Sequence, residues 1–234
     1  MIAVIVPAHD EAASIGRCLA AISLASTHPG LRGEAVQVVV ALDNCSDATG
    51  SVCSLQGAST VTLNAHCVGI ARAAAADHAL ALGARWIAST DADTVVPADW
   101  LTRQVECGAD AFCGVVEVVD WLDYPQAVRD AFTRKPVADG HRHIHGANMG
   151  ISASAYLAAG GFSAVVTGED VALVHALEQV HASIAWLAQP AVAPSARRTA
   201  RAPHGFSGFL RALEREVLDV APAPALSPVP VLQR

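Results

Sequence analysis

Short apolar runs alternate with helix-length segments along most of the chain, which is the pattern of a mostly parallel sheet covered by helices on both faces. Residues 2–6 read as the first strand, ended by Pro7, and residues 11–25 as a helix with Ile15, Leu19 and Ile22 on one face. Residues 36–42 are continuously apolar apart from Gln37, as suits a strand buried on both sides. A third strand is expected at 60–63, an alanine-rich helix at 68–82 closed by Gly83, and a fourth strand at 86–90. Pro97 stands in the first turn of the next helix, where its missing N–H costs nothing. A fifth strand is expected at 111–119, after which residues 120–145 read as a helix and a long loop. Helices at 152–159 and 169–180 flank the loop Gly160-Gly161-Phe162-Ser163, followed by a short strand at 184–187 and a helix at 208–217. The fold class is therefore α/β, one domain over residues 1–220, with the Pro/Ala-rich residues 221–234 as a disordered tail.

Composition narrows the function classes. Hydrophobic residues make up 53% of the 234, yet no apolar stretch reaches the ~20 residues of a membrane-spanning helix. Alanine supplies much of the excess and favours helices packed closely on a sheet. The chain enters a strand pattern at once, with no basic segment ahead of it, so a cytoplasmic location is expected. Leu210, Leu213, Val217 and Leu218 leave peripheral membrane contact open, although at helical spacing they read first as a core face. A net charge of −7 argues against a nucleic-acid partner, with one local exception in Arg197, Arg198 and Arg201. The six cysteines lie singly, without C-x-x-C spacing, and read as free, mostly buried thiols.

The sharpest chemical signal is Asp91-Ala92-Asp93, straight after the fourth strand. Ligands of open α/β sheets bind beyond the carboxyl ends of the strands, so both carboxylates are expected in that crevice. Two acids so close repel unless a cation joins them. A hard divalent ion, Mg²⁺ or Mn²⁺, supplies that charge and bridges to a diphosphate. The alternative is a solvated turn. His141, His143 and His145 alternate, so an extended segment would put all three on one face, as a polar pocket wall or, less favoured, a metal site.

Together these segments resemble the family 2 glycosyltransferases, whose domain is the Rossmann-like GT-A fold. Residues 2–11, ending Pro7-Ala8-His9-Asp10-Glu11, look like the family's opening strand and loop, and Leu42-Asp43-Asn44-Cys45-Ser46-Asp47 like its second-strand acidic loop. Gly69-Ile70-Ala71-Arg72 is similar to its G-x-A-R helix start and Asp91-Ala92-Asp93 to its D-x-D motif. His145-Gly146-Ala147-Asn148-Met149-Gly150 resembles the acceptor-side strand, Gly160-Gly161-Phe162 the turn after it, and Glu169-Asp170 the pair that holds the catalytic base. Leu42 and Ala73-Ala74 depart from the common pattern, which has aspartate and asparagine there.

The resemblance implies transfer of a hexose from a nucleotide-sugar donor to an acceptor hydroxyl, assisted by a divalent metal. It implies that Pro7, Ala8, His9 and Glu11 line the nucleotide pocket and that Asp43 and Arg72 contact base or ribose. Asp93 would be the direct metal ligand, Asp91 would face the sugar or ribose, and Asp170, with Glu169 beside it, would take the acceptor proton. Arg201 and His204 resemble the C-terminal loop that closes on the diphosphate, His204 completing the metal shell. Two other classes compete. A nucleotidyltransferase would carry a Gly-rich basic loop after the first strand, which Pro7-Ala8-His9-Asp10-Glu11 is not. A non-catalytic nucleotide-sugar binding module would leave Asp170 away from the metal.

Overall fold

The computed structural model describes residues 1–134, 136–198 and 205–219, so the expectations for Arg201, His204 and the tail lie outside the described residues. Seven strands form one sheet in the order β3-β2-β1-β4-β6-β5-β7. They are β1 (Ile2–Ala8), β2 (Val36–Asp43), β3 (Ser59–Leu63), β4 (Trp86–Ser89), β5 (Ala111–Cys113), β6 (Met149–Ser152) and β7 (Ile184–Trp186). All neighbours are parallel except β6, which runs antiparallel to both β4 and β5.

The central strands show why the apolar runs are continuous. Along β1, Ile2, Val4 and Val6 enter one core cluster while Ala3 and Ile5 enter the other, because successive side chains point to opposite faces. On the first face lie α1 (Ile15–Ser26), α2 (Thr49–Leu55) and α4 (Trp100–Val105), contributing Leu19, Ile22, Cys53 and Trp100. The second carries α3 (Val68–Ala81), α6 (Ala153–Ala158) and α7 (Glu169–Gln179). Four small side chains, Ala71, Ala75, Ala76 and Ala79, let α3 lie close on the sheet. A third cluster joins α5 (Gln126–Thr133) to α8 (Phe206–Asp219) through Tyr124, Val128 and Leu210. Leu213 and Val217 pack there too, while Leu218 is exposed. No helix among the described residues is long and apolar enough to cross a membrane, and all six cysteines are free.

Several boundaries differ from the sequence reading. β1 runs on through Pro7 to Ala8. It pairs with β4 only over Ile2–Ile5, so Pro7 lies past the end of one neighbour and its missing N–H breaks no ladder there. The first helix begins at Ile15, four residues late, after turn bonds from Ser14 and Ile15 N–H back to the Glu11 carbonyl. Pro97 stands ahead of α4 in a turn, its carbonyl accepting the Trp100 N–H. The expected strand at 111–119 stops at Cys113: the Gly114 N–H still reaches the Asn148 carbonyl, but the chain then leaves β6 for a single bridge at Val116–Val192. Ser152 ends a strand and caps α6, its hydroxyl accepting the Ala155 N–H at 3.2 Å.

Candidate active site

Strand order reverses around β1, with β2 on one side and β4 on the other, and that switch point opens a crevice beyond the carboxyl ends. A cleft of about 590 Å³ occupies it. The end of β1 brings Pro7, Ala8, His9 and Glu11 to its wall, the end of β2 brings Asp43, and the turn after β4 brings Asp91 and Asp93. From the far side, the start of α7 contributes Glu169 and Asp170, and Arg72 reaches in from α3. Residues far apart in sequence thus share one cavity.

At one end of the cleft Asp43 clamps the loop before α3. Its carboxylate accepts the N–H groups of Ala65, His66 and Cys67 at 2.7, 3.1 and 2.9 Å. Burial alone would raise this carboxyl, but the three N–H groups outweigh it and hold it below the usual range. The His9 Nδ1 lies 2.8 Å from the Asp43 carbonyl, which only accepts, so Nδ1 carries the proton. The His9 and His66 rings stand 6.3 Å apart and form a wall of two imidazoles. His66, Cys67 and Val68 line the cleft although no motif pointed to them; their only signal is that they directly precede Gly69.

The acidic turn is held by two arginines. Arg72 is buried and donates Nε to Glu169 at 3.0 Å, Nη1 to Ser89 and the Gly146 carbonyl, and Nη2 to Asp91 at 2.6 Å. Burial disfavours its charge, but Asp91, Glu169 and Asp170 outweigh that and keep it firmly protonated. Four of its N–H donors are therefore committed to protein. Gly146 has to be glycine for this packing, since a Cβ there would come within 2.6 Å of Arg72 Nη2. The second arginine, Arg197, grips the Glu11 carboxylate at 2.7 and 2.6 Å and lies 3.2 Å from Asp93.

Asp170 sits at the first turn of α7, the Gly146 N–H donating to its Oδ2 at 2.8 Å and the Val171 N–H to Oδ1 at 2.8 Å. Gly168, at φ 81°, turns the chain so that both acids enter the helix facing the cleft. Glu169 is almost wholly buried, and its carboxyl is raised by that burial against the pull of Arg72. His141, His143 and His145 do stand on one side of an extended segment, their rings 5.6 and 6.0 Å apart in a row that ends at the cleft with His145. His141 Nε2 lies 3.2 Å from the Leu187 carbonyl and its Nδ1 accepts the His143 N–H, so both of its nitrogens are used. His145 is pushed down to about 4 by burial and by its histidine neighbours, and is neutral at physiological pH.

The chemistry of the acidic turn fits a hard cation. The Asp93 carboxyl is pushed up to about 6 by burial and by the charge on Asp91, with Arg197 pulling the other way. Its donors are oxygens, as Mg²⁺ and Mn²⁺ require. Among the described residues, no group of three or more His, Cys, Asp and Glu is arranged to hold a metal ion.

Comparison with known proteins supplies a family. A family model described as Glycosyl transferase family 2 matches residues 3–148. Among solved structures, Staphylococcus aureus TarS in complex with UDP is 15% identical over 93% of this chain and 70% of that one, with a TM-score of 0.63. The mannosyltransferase PcManGT from Pyrobaculum calidifontis, with GDP-Man and Mn²⁺, is 19% identical over 94% and 70%, TM-score 0.61. Glucosyl-3-phosphoglycerate synthase from Mycobacterium tuberculosis, with Mn²⁺, UDP and glucosyl-3-phosphoglycerate, is 16% identical over 93% and 77%, TM-score 0.58. No curated protein matches the sequence. At these identities the structural likenesses establish the fold.

Proposed function

The chain belongs to glycosyl transferase family 2, and from that premise we propose that its cleft transfers a hexose from a nucleoside diphosphate sugar to an acceptor hydroxyl, with Asp170 as the base. The observation that carries this reading is the shared cavity: Asp91, Asp93 and Asp170 line one cleft, and Arg72 ties Asp91 to the acidic start of α7.

The nucleotide lies against Pro7, Ala8 and His9, with Asp43 shaping that wall through the loop it clamps. Asp91 faces the sugar or ribose. Asp93 would hold the divalent ion; the parts proposed for Arg201 and His204 fall on residues outside the described ones. When bound, that ion supplies positive charge that stabilises the departing diphosphate. The acceptor enters past His145 and Gly146. Its oxygen forms a bond to the anomeric carbon as the bond from that carbon to the diphosphate oxygen breaks, and the hydroxyl proton passes to the Asp170 carboxylate. The Gly146 N–H fixes the orientation of that carboxylate. Arg72 acts beneath this surface, keeping Asp91 and Glu169 in place.

Two measurements on the Asp170→Asn variant test the assignment: donor binding by thermal shift across UDP-, GDP- and dTDP-sugars with Mn²⁺, and turnover with the donor so found. Intact donor binding with turnover down by about 10²–10⁴ is expected, the range for a lost general base. Unchanged turnover removes Asp170 from the role.

A further inference from the structure

Arg197 delivers a positive charge to the spot where the acidic turn needs a cation. It holds Glu11 with both terminal nitrogens and touches Asp93 with one of them. Its attachment is incomplete, since its Nε is buried without a hydrogen-bond partner among the described residues. The next residue faces the opposite way. Arg198 grips Glu214 at 2.6 and 2.8 Å and Asp123 at 2.8 and 2.9 Å, and stacks 4.3 Å over the Tyr124 ring. Consecutive side chains of an extended segment alternate sides, so one arginine is fixed to the α5–α8 cluster while its neighbour reaches into the cleft.

A guanidinium spreads one charge over a plane, whereas a divalent ion concentrates two on a small sphere and attracts the same carboxylate more strongly. We propose that Arg197 is an exchangeable counter-cation: it pairs with Asp93 and Glu11 in the metal-free chain, and its contact with Asp93 yields to the incoming divalent ion. Arg198 keeps the segment anchored while Arg197 moves. The affinity of the site for metal is then set below what its carboxylates alone would give, because each binding event breaks an existing ion pair. This inference rests on the reading of Asp93 as the metal-holding residue.

The test uses the full chain and Mn²⁺ alone, without donor, with free Mn²⁺ followed by electron paramagnetic resonance. Arg197→Gln is expected to bind Mn²⁺ roughly five- to tenfold more tightly than the wild type, the size of a modest coupling between two ligands of one site. Arg197→Lys, which keeps the charge, is expected within about twofold of wild type on the same scale. If Arg197→Gln does not fold, Arg197→Met removes the same charge with similar volume and carries the same expectation. An uncharged variant that binds Mn²⁺ no more tightly than wild type overturns the exchange. Asp93→Asn separates the two levels: loss of Mn²⁺ binding leaves the metal reading standing whatever Arg197 does, and undiminished binding removes both.

Discussion

Arg72 and Arg197 each pair with one aspartate of the same three-residue turn, and they are held in contrasting ways. Arg72 comes from the interior. Its guanidinium is 3% exposed, and it bonds to a strand hydroxyl, a loop carbonyl and two carboxylates. Arg197 comes from a late segment on the opposite wall, is 25% exposed, and is held by carboxylates, with one donor lacking a partner among the described residues. The first is a strut built into the fold and the second a charge laid over the site. Asp91 is therefore fixed by the core, while Asp93 faces a partner that can be exchanged.

The largest expected effect breaks the strut. Arg72→Ala leaves Glu169 buried without its partner and should cost about 3–5 kcal/mol, as for other buried ion pairs with one member removed. For a chain of this length that lowers Tm by roughly 10 °C, read by thermal melting. Arg197→Gln in the same assay should cost less, about 1–3 kcal/mol, because Arg197 is itself a quarter exposed although Glu11 and Asp93 are not. Equal losses from the two variants would abolish the distinction.

The two sides also answer pH with opposite signs. His145 sits beside the strut, with its folded pKa near 4 below the unfolded value of 6.5, so the unfolded chain binds more protons between those values. Its contribution is fully present above pH 6.5 and is lost as pH falls toward 4. Asp93 has a folded pKa near 6, above its usual 3.8, so its contribution is fully present below 3.8 and is lost as pH rises through 6. Asp93→Asn should therefore raise Tm at pH 7.5 in the absence of metal. His145→Gln should flatten the decline of Tm between pH 6.5 and 4 and is the smallest of these effects. A Tm for Asp93→Asn below wild type at pH 7.5 would show that Arg197 satisfies Asp93 as fully as Arg72 satisfies Asp91.

Much of the layout was readable from local pattern. The β–α alternation gave the layers, and the acidic turn lies where its position after an apolar run put it. The errors fall where a neighbour decides. An apolar run cannot show that β5 loses its partner after Cys113, nor that Pro7 sits beyond the end of β4. Arg197 and Arg198 were visible as neighbouring basic residues, but which of the two faces inward was not. Arg197 and Glu11 are 186 residues apart, and no local spacing encodes that pair.

Sequence by itself determined the strand and helix periods, the small residues that let α3 lie on the sheet, and the acid types at the strand ends, because each depends on neighbours within a few positions. Tertiary structure alone decided which acid meets which arginine, that Asp43 spends its carboxylate on three backbone N–H groups, and that Asp170 shares a cavity with Asp91 and Asp93. Those pairings are set by charge and burial acting across space, where distance along the chain has no bearing.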